Sequence, residues 1–122
     1  VSVRTQLWSL LVDRLPDTWD VRADGVDVDA PETDTPVLFV WTNRVTPGPT
    51  IGWRTHEFLL RVCTPLTDPE QYDDDLDELL ETLTDTLQGM DPIAWTQAVR
   101  GVHDNRLQCY TLTLTVPARK DT

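Results

Sequence analysis

The segment 68–89 constrains this chain more than any other. Asp68 followed by Pro69 is a helix start: a carboxylate accepts from orphan amides, and proline at the first helical position lacks only an N–H that has no intrahelical partner. Gln71 at the third position completes a capping-box pattern. Tyr72, Leu76, Leu79, Leu80, Leu83 and Leu87 then recur at helical spacing, and Gly89 supplies the stop. The spacing predicts an amphipathic helix over 69–88 with one leucine face to bury.

Such a face needs a second layer of structure to cover it. Val37, Leu38, Phe39, Val40 and Trp41 follow one another without a polar break, which predicts a strand covered on both faces. Over 53–63 the pattern alternates, with Phe58, Leu60 and Val62 on one face and Thr55, Glu57 and Arg61 on the other. Over 106–116, Tyr110, Leu112, Leu114 and Val116 share a face opposite Thr111, Thr113 and Thr115. Ile93, Trp95, Gln97 and Val99 predict the strand that feeds it, through a turn near His103-Asp104-Asn105. Trp19 and Val21, then Val26 and Val28, predict a short strand with a turn at Asp24-Gly25, or a ragged edge strand, followed by a loop over 30–35.

Val3, Leu7, Leu10, Leu11 and Leu15 predict an opening helix capped by Ser2 and stopped by Pro16. Thr46-Pro47-Gly48-Pro49-Thr50 is a sequence no sheet interior tolerates, so 43–52 reads as a long, stiff hairpin tip flanked by Trp41 and Trp53. Residues 117–122 read as a short polar tail. The expectation is one domain over 1–122 of class α+β and order α-β-β-β-α-β-β. Its sheet is mostly antiparallel or mixed and twisted, with two helices packed on one face.

Charge narrows the function. Of 122 residues, 10 are basic and 21 acidic, a net charge of -11. That argues against nucleic-acid binding by phosphate neutralisation, which needs clustered Lys or Arg. No apolar run approaches the roughly 20 residues that span a bilayer, so no membrane partner is expected. The Val1-Ser2-Val3-Arg4 start is unlike a signal peptide. Cys63 and Cys109 fall inside apolar strand patterns and are expected to be buried thiols rather than a disulfide.

No residue set carries catalytic chemistry. Asp73, Asp74 and Asp75 lack the twelve-residue ligand spacing and glycine of an EF-hand loop, and belong in the first turns of a helix, where they favour its positive end. His56 and Glu57 point to opposite faces of a strand. His103 reads as a turn residue beside Asp104. No nucleophile elbow, HExxH or phosphate-binding glycine loop occurs. The expectation is a chain that is not an enzyme, with no catalytic, cofactor or metal site.

Two surfaces stand out instead. Between Arg61 and Arg100 there is no basic residue, yet 68–91 holds ten acids. Asp74, Asp77, Glu78, Glu81 and Asp85 therefore form a face without i,i+4 cations, turned to solvent, to a basic neighbour, or to a space where negative potential is useful. The second surface is the hairpin tip: Asn43, Arg44, Pro47, Pro49, Trp53 and Arg54 are the candidate subunit or partner interface, since Trp and Arg concentrate binding energy. Of the other tryptophans, Trp41 and Trp95 are the expected core members.

The opening helix over 3–15, Thr35-Pro36-Val37-Leu38-Phe39-Val40, and the strand over 53–63 leading into Thr64-Pro65 share a texture. With the acidic leucine-rich helix over 73–87 and the final Thr/Leu strand, they resemble the tail terminator (tail completion) proteins of long-tailed bacteriophages. The resemblance spans nearly the whole chain and rests on element order rather than a sharp motif. It implies a virion protein made in the host cytoplasm that forms a homo-oligomeric ring, typically of six copies. The ring would cap the tail tube, touching the major tail tube protein and the head–tail connector, and pass DNA through a negative channel without specific contacts. Other phage neck and connector proteins share small α+β rings, and a small acidic adaptor for a basic protein partner fits the charge pattern as well.

Overall fold

The computed structural model describes residues 2–23, 34–90 and 93–119. Two helices and five strands follow in the expected order: α1 (Val3–Arg14), β1 (Asp20–Arg22), β2 (Val37–Pro47), β3 (Trp53–Cys63), α2 (Pro69–Gln88), β4 (Ala94–His103) and β5 (Leu107–Arg119). The strands form one mixed sheet in the order β1-β2-β3-β5-β4. β1 runs parallel to β2 and all other pairs are antiparallel. The Asp24-Gly25 turn, the continuation through Val26 and Val28, and most of the 30–35 loop lie outside the described residues.

Both helices begin as their sequences dictate. The Thr5 amide donates to the Ser2 hydroxyl at 3.1 Å, and Leu15 is already extended ahead of Pro16. The Glu70 amide donates to the Asp68 carboxylate at 3.0 Å, with Pro69 in the first turn. Gly89 ends α2 with φ -80°, an ordinary right-handed value, so its role there is not left-handed freedom. The Arg14 guanidinium donates to the Gly89 carbonyl at 3.1 Å. It brings a cation to the negative end of a helix that has no basic residue in its own last turn.

The main core lies between the helices and one sheet face. Leu7, Leu11 and Leu15 of the first segment and Leu79, Leu83 and Leu87 of α2 pack on Leu38, Val40, Phe58, Leu60, Val62, Leu112 and Leu114. Leu10, placed on the buried stripe by spacing, is 40% exposed. It lines an open groove of about 470 Å³ together with Met90, Ile93 and Val116. On the opposite sheet face a smaller cluster joins Val37, Phe39, Cys63, Leu107 and Cys109, with Trp41 at its margin. β2 is thus covered on both faces over its first four residues.

Three strand boundaries depart from expectation, each for a backbone reason. β2 continues through residues 43–47, so the hairpin tip is confined to 48–52. The Gly48 amide donates to the Trp53 carbonyl at 2.7 Å, so alternation turns the nitrogen of Pro47 away from β3. β1 reaches only Phe39, so among the described residues Pro47 removes no ladder bond. Pro117, assigned to a polar tail, sits inside β5 opposite Thr55. Its nitrogen faces the side where β4 has ended, since Ala94 pairs with Thr115. In β4 a register shift between Trp95 and Gln97 places these two residues opposite Leu114 and Thr113, hence on opposite faces. Trp95 is 39% exposed, and the buried indole is that of Trp19, at 9%.

Candidate interaction surfaces

Asp73, Asp74 and Asp75 successively rotate around α2 and meet different surroundings. Asp73 pairs with Arg100 of β4 at 2.6 Å. Asp74 points to solvent. Asp75 accepts from the buried Thr64 hydroxyl, which in turn accepts from the Leu66 amide at 3.2 Å. Among the described residues no group of three or more His, Cys, Asp or Glu side chains is arranged to hold a metal. Asp77 accepts a long bond of 3.5 Å from the Tyr110 hydroxyl.

Arg100 corrects the picture of a helix without internal counter-charge. Its guanidinium also lies 5.6 Å from the ring centres of both Tyr72 and Tyr110. The Asp73 carboxylate beside it raises its pKa still further. The partner is 27 residues away in sequence, beyond the reach of any helical-spacing argument. Its effect is local to the first turns: Asp74, Asp77, Glu78, Glu81 and Asp85 are all exposed on the outer side of α2.

The hairpin end forms the second surface. Asn43 and Arg44 converge on Glu57, the amide donating at 2.5 Å and the guanidinium pairing at 3.3 Å. These two candidates thus stiffen the hairpin itself, although both remain exposed. Pro47, Pro49 and Arg54 are exposed as well, and Trp53 is 37% exposed with the Arg119 guanidinium 5.6 Å from its ring centre. A side chain at Gly48 would meet the Trp53 backbone at 2.8 Å, and Gly52 has φ +90°, so the tip needs both glycines. Ile51 at the apex is fully exposed. As the one bulky aliphatic residue between Pro49 and Trp53, it was legible in the sequence but not singled out.

The histidines do not form a site. His103, expected in a turn, is the last residue of β4, 1% exposed and stacked on Phe39 at 4.6 Å. Its Nδ1 accepts from Arg61 at 3.1 Å, because a guanidinium has only donors. Arg61 also donates to the Thr111 hydroxyl at 3.0 Å and lies over Trp41. The turn that follows has positive φ at Asp104 and Asn105, residue types that accept it. His56 stands on the other sheet face, its pKa lowered by burial and by Arg54. His56 pairs with Val116 and His103 with Leu107, which separates them by about 30 Å along β5. His56 and Glu57 occupy opposite faces, as alternation requires.

Cys63 and Cys109 face each other across β3 and β5 as free thiols, 0% and 1% exposed. Hydrogen bonding between the two sulfurs, then burial, pushes the Cys63 pKa well up. The site is a packed pair of thiols rather than a nucleophile.

A third surface was not foreseen. β4 ends the sheet, and Trp95, Val99 and Val102 are 39%, 55% and 49% exposed along it. No helix among the described residues is long and apolar enough to cross a membrane. No protein-family model matches the chain, and no match to it was found among curated proteins.

Proposed function

We propose that this chain is a structural protein of a tailed-phage virion, a tail terminator that assembles into a ring, of six copies by its resemblance. The ring caps the tail tube, joins the tail to the head connector, and gives DNA a negatively charged passage. The observation that carries the reading is the outer face of α2. Its carboxylates Asp74, Asp77, Glu78, Glu81 and Asp85 are exposed together, and the nearby Arg100 is committed to Asp73. A like-charged wall lets a polyanion slide without adhering. The stiff basic hairpin end, with Arg44, Arg54 and Trp53, supplies the contact to the tube or the neighbouring copy. No catalytic step is assigned to the chain.

The test uses purified tail tubes that end without a cap. Labelled chain is added and its position recorded by electron microscopy. The reading expects label at one tube end only, in rings. Chain that remains monomeric and unbound, or that decorates the tube along its length, refutes it. A connector protein of the neck would instead bind the head portal, and an acidic adaptor would capture a basic protein while staying monomeric. A triple Glu78→Lys, Glu81→Lys, Asp85→Lys variant should still cap tubes yet slow DNA release from assembled particles.

A further inference from the structure

β4 presents a ten-residue outer edge, and no described strand lies beyond it. Long exposed edges are normally blunted by Lys, Pro or inward charges, because their unpaired amides template association. β4 (AWTQAVRGVH) contains neither Lys nor Pro. Its one Arg, Arg100, is drawn away over Tyr72 and Tyr110 to Asp73. The direction of its amides follows from the neighbouring ladder. The Thr64 amide donates to the Gln108 carbonyl at 3.1 Å, so Gln108 addresses β3 and Cys109 addresses Gly101 of β4. Alternation then points the backbone groups of Ala98, Arg100 and Val102 outward.

The other side of the sheet has a matching gap. β1 pairs β2 from Val37 to Phe39, a parallel ladder in which Arg22 addresses Leu38 and Val40, and among the described residues nothing pairs β2 on that side beyond Val40. By the same alternation, Thr42 and Val45 face outward there, until Pro47 ends the run. Three antiparallel steps separate β2 from β4, so the two edges run in opposite senses. A copy placed edge to edge with the next therefore continues the sheet as an antiparallel pair.

Charge selects this arrangement over its rival. The β4 edge is overhung by the amino-terminal half of α2, which Asp73–Arg100 and Tyr110–Asp77 tie to it, bringing Asp73, Asp74 and Asp77. On the same sheet face as α2, the β2 edge has exposed Arg54 opposite Pro47, while Arg44 is held by Glu57 on the other face. β4 against β2 sets acid beside base, whereas β4 against β4 sets acid beside acid.

We propose that β4 of one copy pairs antiparallel with the 42–47 edge of β2 in the next copy, joining the sheets into a closed ring. The inference rests on the ring reading above and names the surfaces that build it. Different patches meet at such a contact, so it propagates around a ring rather than stopping at a dimer.

The test blocks each edge separately. Val102→Pro and Val45→Pro remove only outward amides, so each variant should keep the wild-type circular dichroism and unfold within a few degrees of it. In native mass spectrometry each alone should be monomeric, with self-association weakened at least tenfold. Mixed one to one, they should form a dimer and stop, because one retains β2 and the other β4. If a proline variant fails to fold, Val102→Lys and Val45→Asp read the same edges. Folded variants that still form rings overturn the inference while leaving the ring reading intact, and so does a Val45 variant that dimerises alone through β4. A wild-type chain that stays monomeric at uncapped tubes overturns both.

Discussion

Thr64→Val gives a sharp test of how the sheet hands over to α2. Thr64 follows β3 and is fully buried; its hydroxyl donates to Asp75 and accepts from the Leu66 amide. Valine keeps the shape and removes both bonds. A hydrogen bond to a charged group contributes about 1.5–3 kcal/mol and a neutral one about 0.5–1.5 kcal/mol. Asp75 and Leu66 are only half-buried, so each regains some water, and the net loss should be about 2 kcal/mol. With an unfolding entropy of about 2.1 cal/mol/K per residue, that lowers the thermal midpoint by roughly 8 °C. Calorimetry and urea titration measure it. Thr64→Ser keeps the hydroxyl and should lose less than half as much. A Val variant within about 0.5 kcal/mol of wild type, or equal to the Ser variant, refutes the claim that this hydroxyl fixes the start of α2.

Other predictions follow from the same geometry. Arg100→Ala removes an exposed ion pair and two ring contacts, and should cost about 1–2 kcal/mol, shrinking in high salt; urea midpoints at low and high salt check both parts. His56 has a lowered pKa in the fold, so the unfolded chain takes up its proton first as pH falls below 6.5. Its contribution to stability is thus complete above 6.5 and declines on acidification, and His56→Gln should flatten that decline in urea midpoints at pH 7.5 and 5.5. Cys63 and Cys109 should resist a thiol reagent at the rate of global unfolding; rapid modification of the native chain contradicts their burial.

Much of the fold was legible because local chemistry agreed with global packing. The Ser2 and Asp68 caps, the leucine stripe of α2 and the alternation of β3 and β5 each specify one structure by short-range rules. Pro47 and Pro117 misled for a physical reason: proline is excluded where its missing N–H belongs to a ladder, and both nitrogens face sides where no strand of the described residues lies. Strand order decides that, and strand order is not a local property. Trp95 shares the core face with Leu114, yet it stands near the start of the last strand of the sheet and stays 39% exposed, a consequence of strand order rather than of its own pattern. The acid face was visible in composition, but its Arg100 counter-charge was not, since only the pairing of β4 with β5 brings that residue under α2. The β4 edge escaped notice for the same reason.

Everything proposed for this chain depends on its assembling into a ring. Native mass spectrometry of the full-length protein at rising concentration, with negative-stain imaging of the same sample, tests it most directly. A ring-forming chain gives a single closed species of fixed copy number, six by resemblance, with an open centre. A monomer that persists at the highest concentration and beside uncapped tail tubes, or an open series of growing filaments, contradicts it.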